Sequence, residues 1–250
     1  KAQYKPKVVI IGLGIGGSTC LKYLDKISNF LDIIVIEKNN LIRTGPLSNL
    51  VIGDILDLQE ITFKMNESRY QNVKFCYEKV NYVDSNKKFV KLSDGSKLVF
   101  DFLILSPGIG FKENITGFNL SDEEIIPHCW DVDSSLQNFK RKLMNLDDGS
   151  KIIITAPDYP YRCPPAPYER ASLIANFFNK KRKKVKILIL DSKDSFTKQE
   201  NFFKEWELNY KNVIEWVPRG KGGNVVLIDK KNKFVKNKDG QIFKGDFIHI

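Results

Sequence analysis

The sequence predicts an α/β protein built from two Rossmann-like units, each with a parallel β-sheet. Two observations carry this prediction. A glycine-rich turn stands between a strand-like run and a helix-like run near the start of the chain, and a segment in the first half recurs 145 residues later, from Lys88 to Lys233. The turn is typical of one nucleotide-binding unit, and the recurrence indicates that the same arrangement occurs twice.

The first unit opens with a βαβ pattern. The apolar run Lys7–Ile11 predicts a buried parallel strand, and Asp32–Ile36 predicts the next strand, with a helix between them that extends to about Ile27. The turn after the first strand has the pattern GxGxxG, which alone is a weak signal. The two strands and the helix around it strengthen the interpretation as a dinucleotide-binding turn over a merely structural one.

Each glycine of this turn has an expected task. Gly12 allows the tight turn, Gly14 lets the backbone approach a pyrophosphate, and Gly17 lets the helix pack closely on the strand. Glu37 ends the second strand, where it can accept a hydrogen bond from a ribose hydroxyl. The cofactor-binding residues predicted here are Gly12, Gly14, Ile15, Gly16, Gly17, Glu37 and Lys38.

The internal repeat defines the second unit. The segment Lys88–Asp101 reads KFVKLSDGSKLVFD, and Lys233–Asp246 reads KFVKNKDGQIFKGD, so that each copy predicts a β-hairpin with an Asp-Gly turn. Lys151–Thr155 and Lys186–Leu190 lie close to the register of the two opening strands. Chance similarity of two lysine-rich hairpins is the alternative. The expected ranges are 1–118 for the first unit, 119–150 for a connecting segment with a helix, and 151–250 for the second unit.

The second unit replaces the glycine turn with a proline-rich loop that carries Cys163. Three prolines between positions 164 and 167 prevent a helix from starting before about Ala166. A thiol at this helix N-terminus, between Arg162 and Arg170, is expected to favour the thiolate, as a nucleophile or half of a redox disulfide requires. Glu169 follows six residues after the cysteine. A structural cysteine in a proline-rich connection is the alternative.

Several motifs together resemble the flavoprotein subunit of flavocytochrome c sulfide dehydrogenase, within the two-dinucleotide-binding-domain, disulfide-reductase-like flavoproteins. They are Thr44–Asn49 with Val51–Gly53, Pro127–Trp130, Arg162–Ala171 and Phe196–Gln199. The resemblance implies FAD as cofactor, sulfide as substrate, a c-type cytochrome subunit as partner, and a periplasmic location. It also implies cofactor contacts at Thr44, Gly45, Val80, Ser106, Pro107 and Gly108. Sulfide:quinone oxidoreductases and type II NADH dehydrogenases share the glycine turn but are less similar elsewhere.

The sequence departs from that family in two respects. A cysteine that can bind the flavin covalently in the family is matched here by Gly45, so FAD is expected to bind without a covalent bond. The family also has a partner cysteine and a further flavin-binding aspartate in a C-terminal stretch, whereas this sequence ends at Ile250. We therefore expect the chain to be a fragment of a longer protein.

The resemblance implies a mechanism in which hydrosulfide attacks a disulfide between Cys163 and that partner cysteine. This attack gives a persulfide and a thiolate, and two electrons then pass to FAD. Glu169 is a candidate acid or base for the sulfur species, with Cys163 as the other catalytic residue. The alternative for Glu169 is a first-turn glutamate stabilised by the helix dipole.

Two other functions stay open. One is an NAD(P)H- or quinone-linked flavin disulfide oxidoreductase, although the second unit lacks a glycine-rich phosphate turn. The other is a non-catalytic FAD-binding partner subunit. Cys20, Cys76 and Cys129 are interpreted as buried or incidental, and no cysteine or histidine spacing predicts a metal site.

Charge and composition narrow the possible partners. The net charge is +10; residues 1–125 have 16 basic and 15 acidic side chains, and residues 126–250 have 24 and 15. The densest basic run, Lys180–Lys184, is either an ordinary solvated surface or a docking site for an acidic partner. No nucleic-acid-binding motif accompanies it, and no apolar run is long enough to predict a membrane span.

Overall fold

The computed structural model describes residues 4–130, 132 and 134–250. The chain divides into two compact units. The first unit comprises Lys1–Thr44 and Thr62–Gly110, and the second comprises Gly45–Ile61 and Phe111–Ile250. These units differ from the expected ranges, because Gly45–Ile61 belongs to the second unit and the first unit ends before position 118.

Among its described residues, the first unit contains one α-helix and nine short strands in three sheets. Their bounds are β1 (Lys7–Ile11), α1 (Ile15–Leu24), β2 (Asp32–Ile36), β3 (Leu41–Arg43), β4 (Thr62–Lys64), β5 (Val73–Cys76), β6 (Val80–Asp84), β7 (Phe89–Leu92), β8 (Lys97–Val99) and β9 (Phe102–Leu105). The main sheet is parallel with the order β5-β2-β1-β9. Strands β6, β7 and β8 form an antiparallel sheet, and β3 pairs with β4.

The main sheet of the first unit is buried on both faces because successive side chains point to opposite sides of a strand. Val8 and Ile10 pack in one apolar cluster with Leu21 of α1. Val9 and Ile11 pack in the other cluster with residues of β7. The predicted first helix is shorter than expected, since α1 ends at Leu24 and a 3₁₀ segment follows it.

The second unit contains four helices and seven strands within the described residues. Their bounds are α2 (Ser48–Ile52), α3 (Ser134–Met144), β10 (Ser150–Ala156), α4 (Ala166–Lys180), β11 (Val185–Asp191), α5 (Gln199–Asn209), β12 (Ile214–Val217), β13 (Val225–Asp229), β14 (Phe234–Asn237), β15 (Ile242–Lys244) and β16 (Phe247–His249). The parallel sheet has the order β12-β11-β10-β16, and β13, β14 and β15 form an antiparallel sheet.

The two units share one topology, which confirms the predicted two-unit α/β fold. Strands β10, β11, β12 and β16 take the places of β1, β2, β5 and β9, and the β13–β15 sheet takes the place of β6–β8. In each sheet, an equivalent hydrogen bond joins the first strand to the aspartate that precedes the last strand. The Lys7 N–H donates to Asp101 Oδ2 over 2.7 Å, and the Lys151 N–H donates to Asp246 Oδ2 over 2.8 Å.

Helices α2, α3 and α4 pack against one face of the parallel sheet of the second unit, and the β13–β15 sheet packs against the other face. Gly53, directly after α2, allows a close approach to α4, since a Cβ atom there would lie 3.1 Å from the Cβ of Leu173. The fold therefore places Gly45–Ile61 against the helix that follows Cys163. Among the described residues, none of the helices combines the length and apolar composition needed to cross a bilayer.

Candidate functional site

The glycine turn of the first unit is tightly packed on one side. Gly12 has a left-handed φ of 94°, and a Cβ atom at Gly12 would lie 2.2 Å from the Ser106 carbonyl oxygen. A Cβ atom at Gly17 would lie 1.7 Å from the Gly12 carbonyl oxygen. Any larger residue at either position would have to displace backbone, so that these two glycines are required by the fold itself.

Gly14 is different, because a Cβ atom there would have no neighbour within 4 Å. It stands at the N-cap of α1, whose first residue, Ile15, is exposed. The first N–H groups of a helix have no acceptor within the helix, and they suit a phosphate. This open, donor-rich side of the turn fits the pyrophosphate of a dinucleotide.

Glu37 lies half-buried at the end of β2, beside the turn. Its two carboxylate oxygens accept hydrogen bonds from the Leu13 N–H over 2.8 Å and the Asn39 N–H over 3.0 Å. Each oxygen has a second lone pair, so Glu37 can still accept from a ribose hydroxyl. The neighbouring Lys38 is exposed.

Ser106 joins the turn at the end of β9. Its N–H donates to the Ile11 carbonyl over 2.8 Å, and its Oγ lies 2.5 Å from where a Gly16 Cβ would be. Pro107 and Gly108 follow as exposed residues. The structure thus brings Gly12, Gly16 and Ser106 together, and their role as cofactor contacts stays a prediction.

The remaining predicted cofactor residues are Val80, Thr44 and Gly45. Val80 begins β6 and packs in an apolar cluster of the first unit. Thr44 is the last residue of its segment of the first unit, and Gly45 is the first residue of the second unit. Their roles as cofactor contacts stay predictions.

Cys163 is exposed and stands just ahead of α4, which begins at Ala166 as predicted. Its backbone is left-handed, with φ at 57°, a conformation that few non-glycine residues adopt. The Cys163 carbonyl accepts from the Ala166 N–H over 2.9 Å, and the Tyr161 hydroxyl donates to the Pro164 carbonyl over 2.7 Å. The loop is therefore held by its own hydrogen bonds while the cysteine is open to solvent.

Arg170 was expected to flank the Cys163 thiol, but it is fully buried with its N–H groups directed elsewhere. They donate to Asn49 Oδ1 over 2.8 Å and to the carbonyls of His128 and Cys129 over 3.1 and 3.0 Å. Burial lowers the pKa of Arg170 to about 10, so the group stays charged at neutral pH. Arg162 also uses its guanidinium elsewhere, on the Trp130 carbonyl. The thiolate character of Cys163 stays a prediction.

His249 completes the surroundings of Arg170. Its Nε2 lies 2.8 Å from Arg170 Nη1, and its Nδ1 lies 3.1 Å from the Pro127 carbonyl oxygen. An arginine can only donate, so Nε2 must accept and Nδ1 must carry the proton. Burial, followed by the charge of Arg170, holds the pKa of His249 well below its usual value. No sequence motif predicted a role for this neutral histidine.

Glu169 occupies the first turn of α4 and is half-buried. Its Oε2 accepts a hydrogen bond of 2.7 Å from Nδ2 of Asn49. Asn49 was part of the quoted Thr44–Asn49 motif, but the motif gave no indication that its amide would meet the catalytic candidate on α4.

Asp191 is the counterpart of Glu37 in the second unit. Lys7 is opposite Asp32 in the first sheet and Lys151 is opposite Lys186 in the second, which aligns the two acidic residues. Unlike Glu37, Asp191 is fully buried. The acidic residue at the end of the strand was visible in the sequence, but its surroundings were not.

Three side chains surround the Asp191 carboxylate. It accepts from the Tyr168 hydroxyl over 2.5 Å and from Trp216 Nε1 over 2.9 Å, and it pairs with Lys193 Nζ over 2.6 Å. Burial and the bond to Asp191 raise the pKa of Tyr168. In the second unit, therefore, the carboxylate equivalent to Glu37 is enclosed by side chains of the unit itself.

The chain belongs to the pyridine nucleotide-disulphide oxidoreductase family, whose profile matches residues 6–152. Residues 136–250 match the central region of the flavoprotein chain of flavocytochrome c sulfide dehydrogenase. The resemblance stated from the sequence motifs is thereby confirmed. Family membership, together with the open glycine turn, implies that the first unit binds a flavin, FAD.

Solved structures with the same fold include sulfide:quinone oxidoreductase from Aquifex aeolicus, with a TM-score of 0.77 at 18% identity over 98% of this chain and 58% of that one. The NDH2 structure from Plasmodium falciparum in complex with NADH has a TM-score of 0.74 at 17% identity over 98% and 55% of the two chains. At this level of identity, both similarities establish a shared fold and no shared activity.

Among curated proteins, apoptosis-inducing factor homolog A of Dictyostelium discoideum is 30% identical over 56% of this chain and 33% of its own length. Coenzyme A disulfide reductase of Staphylococcus aureus is 27% identical over 48% of this chain and 32% of its own length. The chain thus spans about a third of these curated relatives.

Proposed function

We propose that this chain is part of the flavoprotein subunit of a sulfide dehydrogenase of the flavocytochrome c type. The observation that carries the proposal is Cys163, exposed and held in a left-handed conformation at the head of α4, with Glu169 in the first turn. The match of residues 136–250 to that subunit includes both residues. The proposal includes a c-type cytochrome as electron acceptor and a periplasmic location, both from the family resemblance.

The sulfur chemistry begins at a disulfide between Cys163 and a second cysteine, which the resemblance places outside these residues. Hydrosulfide attacks Cys163, so that a new S–S bond forms while the old one breaks and the second cysteine leaves as a thiolate. The product on Cys163 is a persulfide, and Glu169 takes the proton from its S–H group. FAD, when bound, supplies the two-electron acceptor.

The second unit supports sulfide over a nicotinamide nucleotide as electron donor. Asp191 has the position that Glu37 has beside the glycine turn, but its oxygens are already bound by Tyr168, Trp216 and Lys193. A ribose hydroxyl would have to replace one of these buried bonds. The proline loop also offers no glycine turn to a pyrophosphate.

FAD is proposed to bind without a covalent bond. Gly45, which matches the flavin-linked cysteine of the family, has no side chain that can form a thioether. Acid precipitation of the holoprotein should therefore release the yellow colour into the supernatant. Colour retained in the pellet would show a covalent attachment at another residue.

An anaerobic titration of the full-length holoprotein tests the proposal. Sulfide should bleach the flavin absorbance of the wild type, and NADH should not. Cys163→Ser should retain FAD, because the glycine turn and Glu37 are in the first unit, but sulfide should no longer bleach it. Cys76→Ser, at the half-buried end of β5, is the matched control and should behave as the wild type.

Three results would contradict the proposal, two from this titration and one from adding a quinone or a c-type cytochrome to the sulfide-reduced protein. Reduction of the Cys163→Ser flavin at the wild-type rate would exclude the disulfide mechanism. Bleaching by NADH and not by sulfide would favour an NAD(P)H-linked reductase, and reduction by sulfide with transfer to a quinone but not to a cytochrome would favour the quinone-linked alternative.

A further inference from the structure

Asn49 is buried, with 5% of its surface exposed, and its amide joins the two neighbouring residues Glu169 and Arg170. Nδ2 of Asn49 lies 2.7 Å from Glu169 Oε2, and Oδ1 of Asn49 lies 2.8 Å from Arg170 Nε. Asn49 lies on α2, more than 100 residues before α4 in the sequence. The amide therefore makes a tertiary contact between α2 and the two α4 residues.

The orientation of this amide follows from chemistry. An arginine Nε–H can only donate, so the Asn49 atom that faces it must be the oxygen. The Asn49 NH₂ group then necessarily faces Glu169. Arg170 is itself fixed by the carbonyls of His128 and Cys129, which leaves the amide one orientation that satisfies both neighbours.

We propose that Asn49 is a positioning residue that decides which oxygen of Glu169 exchanges a proton with the substrate sulfur; this inference rests on the proposed function. Because Nδ2 donates, Oε2 must act as the acceptor and carries no proton toward Asn49. Asn49 occupies one lone pair of Oε2 and none of Oε1, so Oε1 is the more available oxygen for the proton from the persulfide S–H. The amide holds the carboxylate in that arrangement without adding a charge.

The absence of a charge on Asn49 matters in these surroundings. The Arg170 guanidinium interacts electrostatically with Glu169 and with the thiols of Cys129 and Cys163, and it also contacts His249. An aspartate at position 49 would keep an acceptor for Arg170 but would place a second carboxylate at hydrogen-bond distance from Glu169. Two carboxylates so close cannot both be ionised without a large cost, so one binds a proton to higher pH.

The first test uses Asn49→Asp in the full-length holoprotein. The rate of flavin reduction by sulfide, measured against pH, should have its acid–base transition displaced upward by about one pH unit or more. Asn138→Asp is the matched control. The Asn138 amide likewise accepts from an arginine, Arg141, and donates through Nδ2, but to backbone carbonyls rather than to Glu169. Its profile should equal that of the wild type.

A second measurement needs no sulfide. The infrared carboxyl band of Glu169 is identified as the band that Glu169→Gln removes, and its conversion with pH is followed in the wild type, Asn49→Asp and Asn138→Asp. Only Asn49→Asp should displace the conversion upward, again by about one pH unit or more. A band that converts at the same pH in all three proteins would overturn the inference.

The exchange variant Asn49→Asp/Glu169→Gln separates positioning from a structural bond, and it also serves if Asn49→Asp alone does not fold. The double variant restores a hydrogen bond with donor and acceptor reversed, so it should fold and bind FAD as the wild type does. We expect it to be reduced by sulfide as slowly as Glu169→Gln. If sulfide reduced the flavin of the double variant at the wild-type rate, the bond between residues 49 and 169 would be only structural.

These results distinguish the inference from the proposed function. If sulfide does not reduce the wild-type flavin at any pH, the proposed function fails while the infrared measurement still tests Asn49. If sulfide reduces the wild type but the pH profile and the infrared band are the same in Asn49→Asp, the proposed function stands and the role of Asn49 is wrong.

Discussion

At the scale of residues, Arg170 is the unusual group. Its guanidinium is fully buried, and the acceptors around it are neutral: an amide oxygen, two backbone carbonyls and the imidazole of His249. It also lies over the Trp130 ring, with 3.6 Å between the guanidinium carbon and the ring centroid. A buried charge is costly, and several charge-assisted hydrogen bonds with a cation–π contact offset that cost. Arg170 therefore organises the protein interior beside Glu169.

Removing this guanidinium should destabilise the protein strongly. Arg170→Met keeps much of the apolar volume but leaves the His128 and Cys129 carbonyls, the Asn49 oxygen and the His249 nitrogen without their donor. We expect a loss of about 3 kcal/mol or more in the free energy of unfolding, measured in urea.

Arg141→Met is the control for that measurement. Arg141 is exposed on α3 and its side chain donates to the neighbouring Asn138, so its removal should change the free energy of unfolding by less than about 0.5 kcal/mol. A change below about 1 kcal/mol for Arg170→Met would show that the buried network is not stabilised by the charge.

At the scale of elements, the glycines of the β1–α1 turn have two different roles, although they belong to one sequence pattern. Gly12 and Gly17 are fixed by the close approach of backbone atoms, whereas the space beside Gly14 is open. The fold therefore requires Gly12 and Gly17, whereas the packing leaves Gly14 free to face a ligand. The two ends of helix α4 also differ. Cys163 precedes its first residue, and the basic run Lys180–Lys184 begins at its last residue.

Substitutions in the turn should separate folding from FAD binding. Gly14→Val adds a side chain on the open side, so thermal stability of the apoprotein should be retained while FAD affinity falls by about tenfold or more through loss of pyrophosphate contact. Gly17→Ala places a Cβ against the Gly12 carbonyl and should instead lower the stability of the apoprotein.

Fluorescence titration of each apoprotein with FAD, alongside thermal unfolding, gives both quantities. Equal FAD affinity in Gly14→Val and the wild type would contradict the assignment of the open side to the pyrophosphate. A Gly17→Ala protein as stable as the wild type would contradict the packing argument.

At the scale of the whole molecule, two copies of one topology have different chemistry. The first keeps the open glycine turn and an accessible Glu37, and the second replaces them with a cysteine loop and a buried Asp191. The second half also carries most of the net charge, with 24 basic and 15 acidic side chains in residues 126–250. The exposed run Lys180–Lys184 lies about 22 Å along α4 from the end that follows Cys163.

If this charge steers an acidic cytochrome, the rate of electron transfer to it should fall as salt is raised through physiological strength, where the Debye length is about 8 Å. Lys181→Gln/Arg182→Gln should lower the rate at low salt and weaken its salt dependence. Lys64→Gln/Lys87→Gln removes the same charge from exposed positions of the first unit and serves as control. A salt-independent rate in the wild type, measured by stopped-flow absorbance, would indicate apolar docking.

Local sequence determined the parts of the protein that depend on neighbours along the chain. The apolar runs of β1 and β2, the glycine turn, the start of α4 at Ala166 and the repeated hairpins were all predicted, because strand alternation, turn geometry and proline stiffness act over a few residues. Cys163 was recognisable for the same reason, since its loop and the following helix are contiguous.

Only the tertiary structure decided how the groups around Glu169 are arranged. Arg170 was expected beside the Cys163 thiol from its position in the sequence, but helical geometry directs it into the interior, toward His249 and Asn49. Those partners lie 79 and 121 positions away, and no local pattern encodes such contacts. The same reason explains why Gly45–Ile61 was assigned to the first unit: its packing partner is α4, which follows more than 100 residues later.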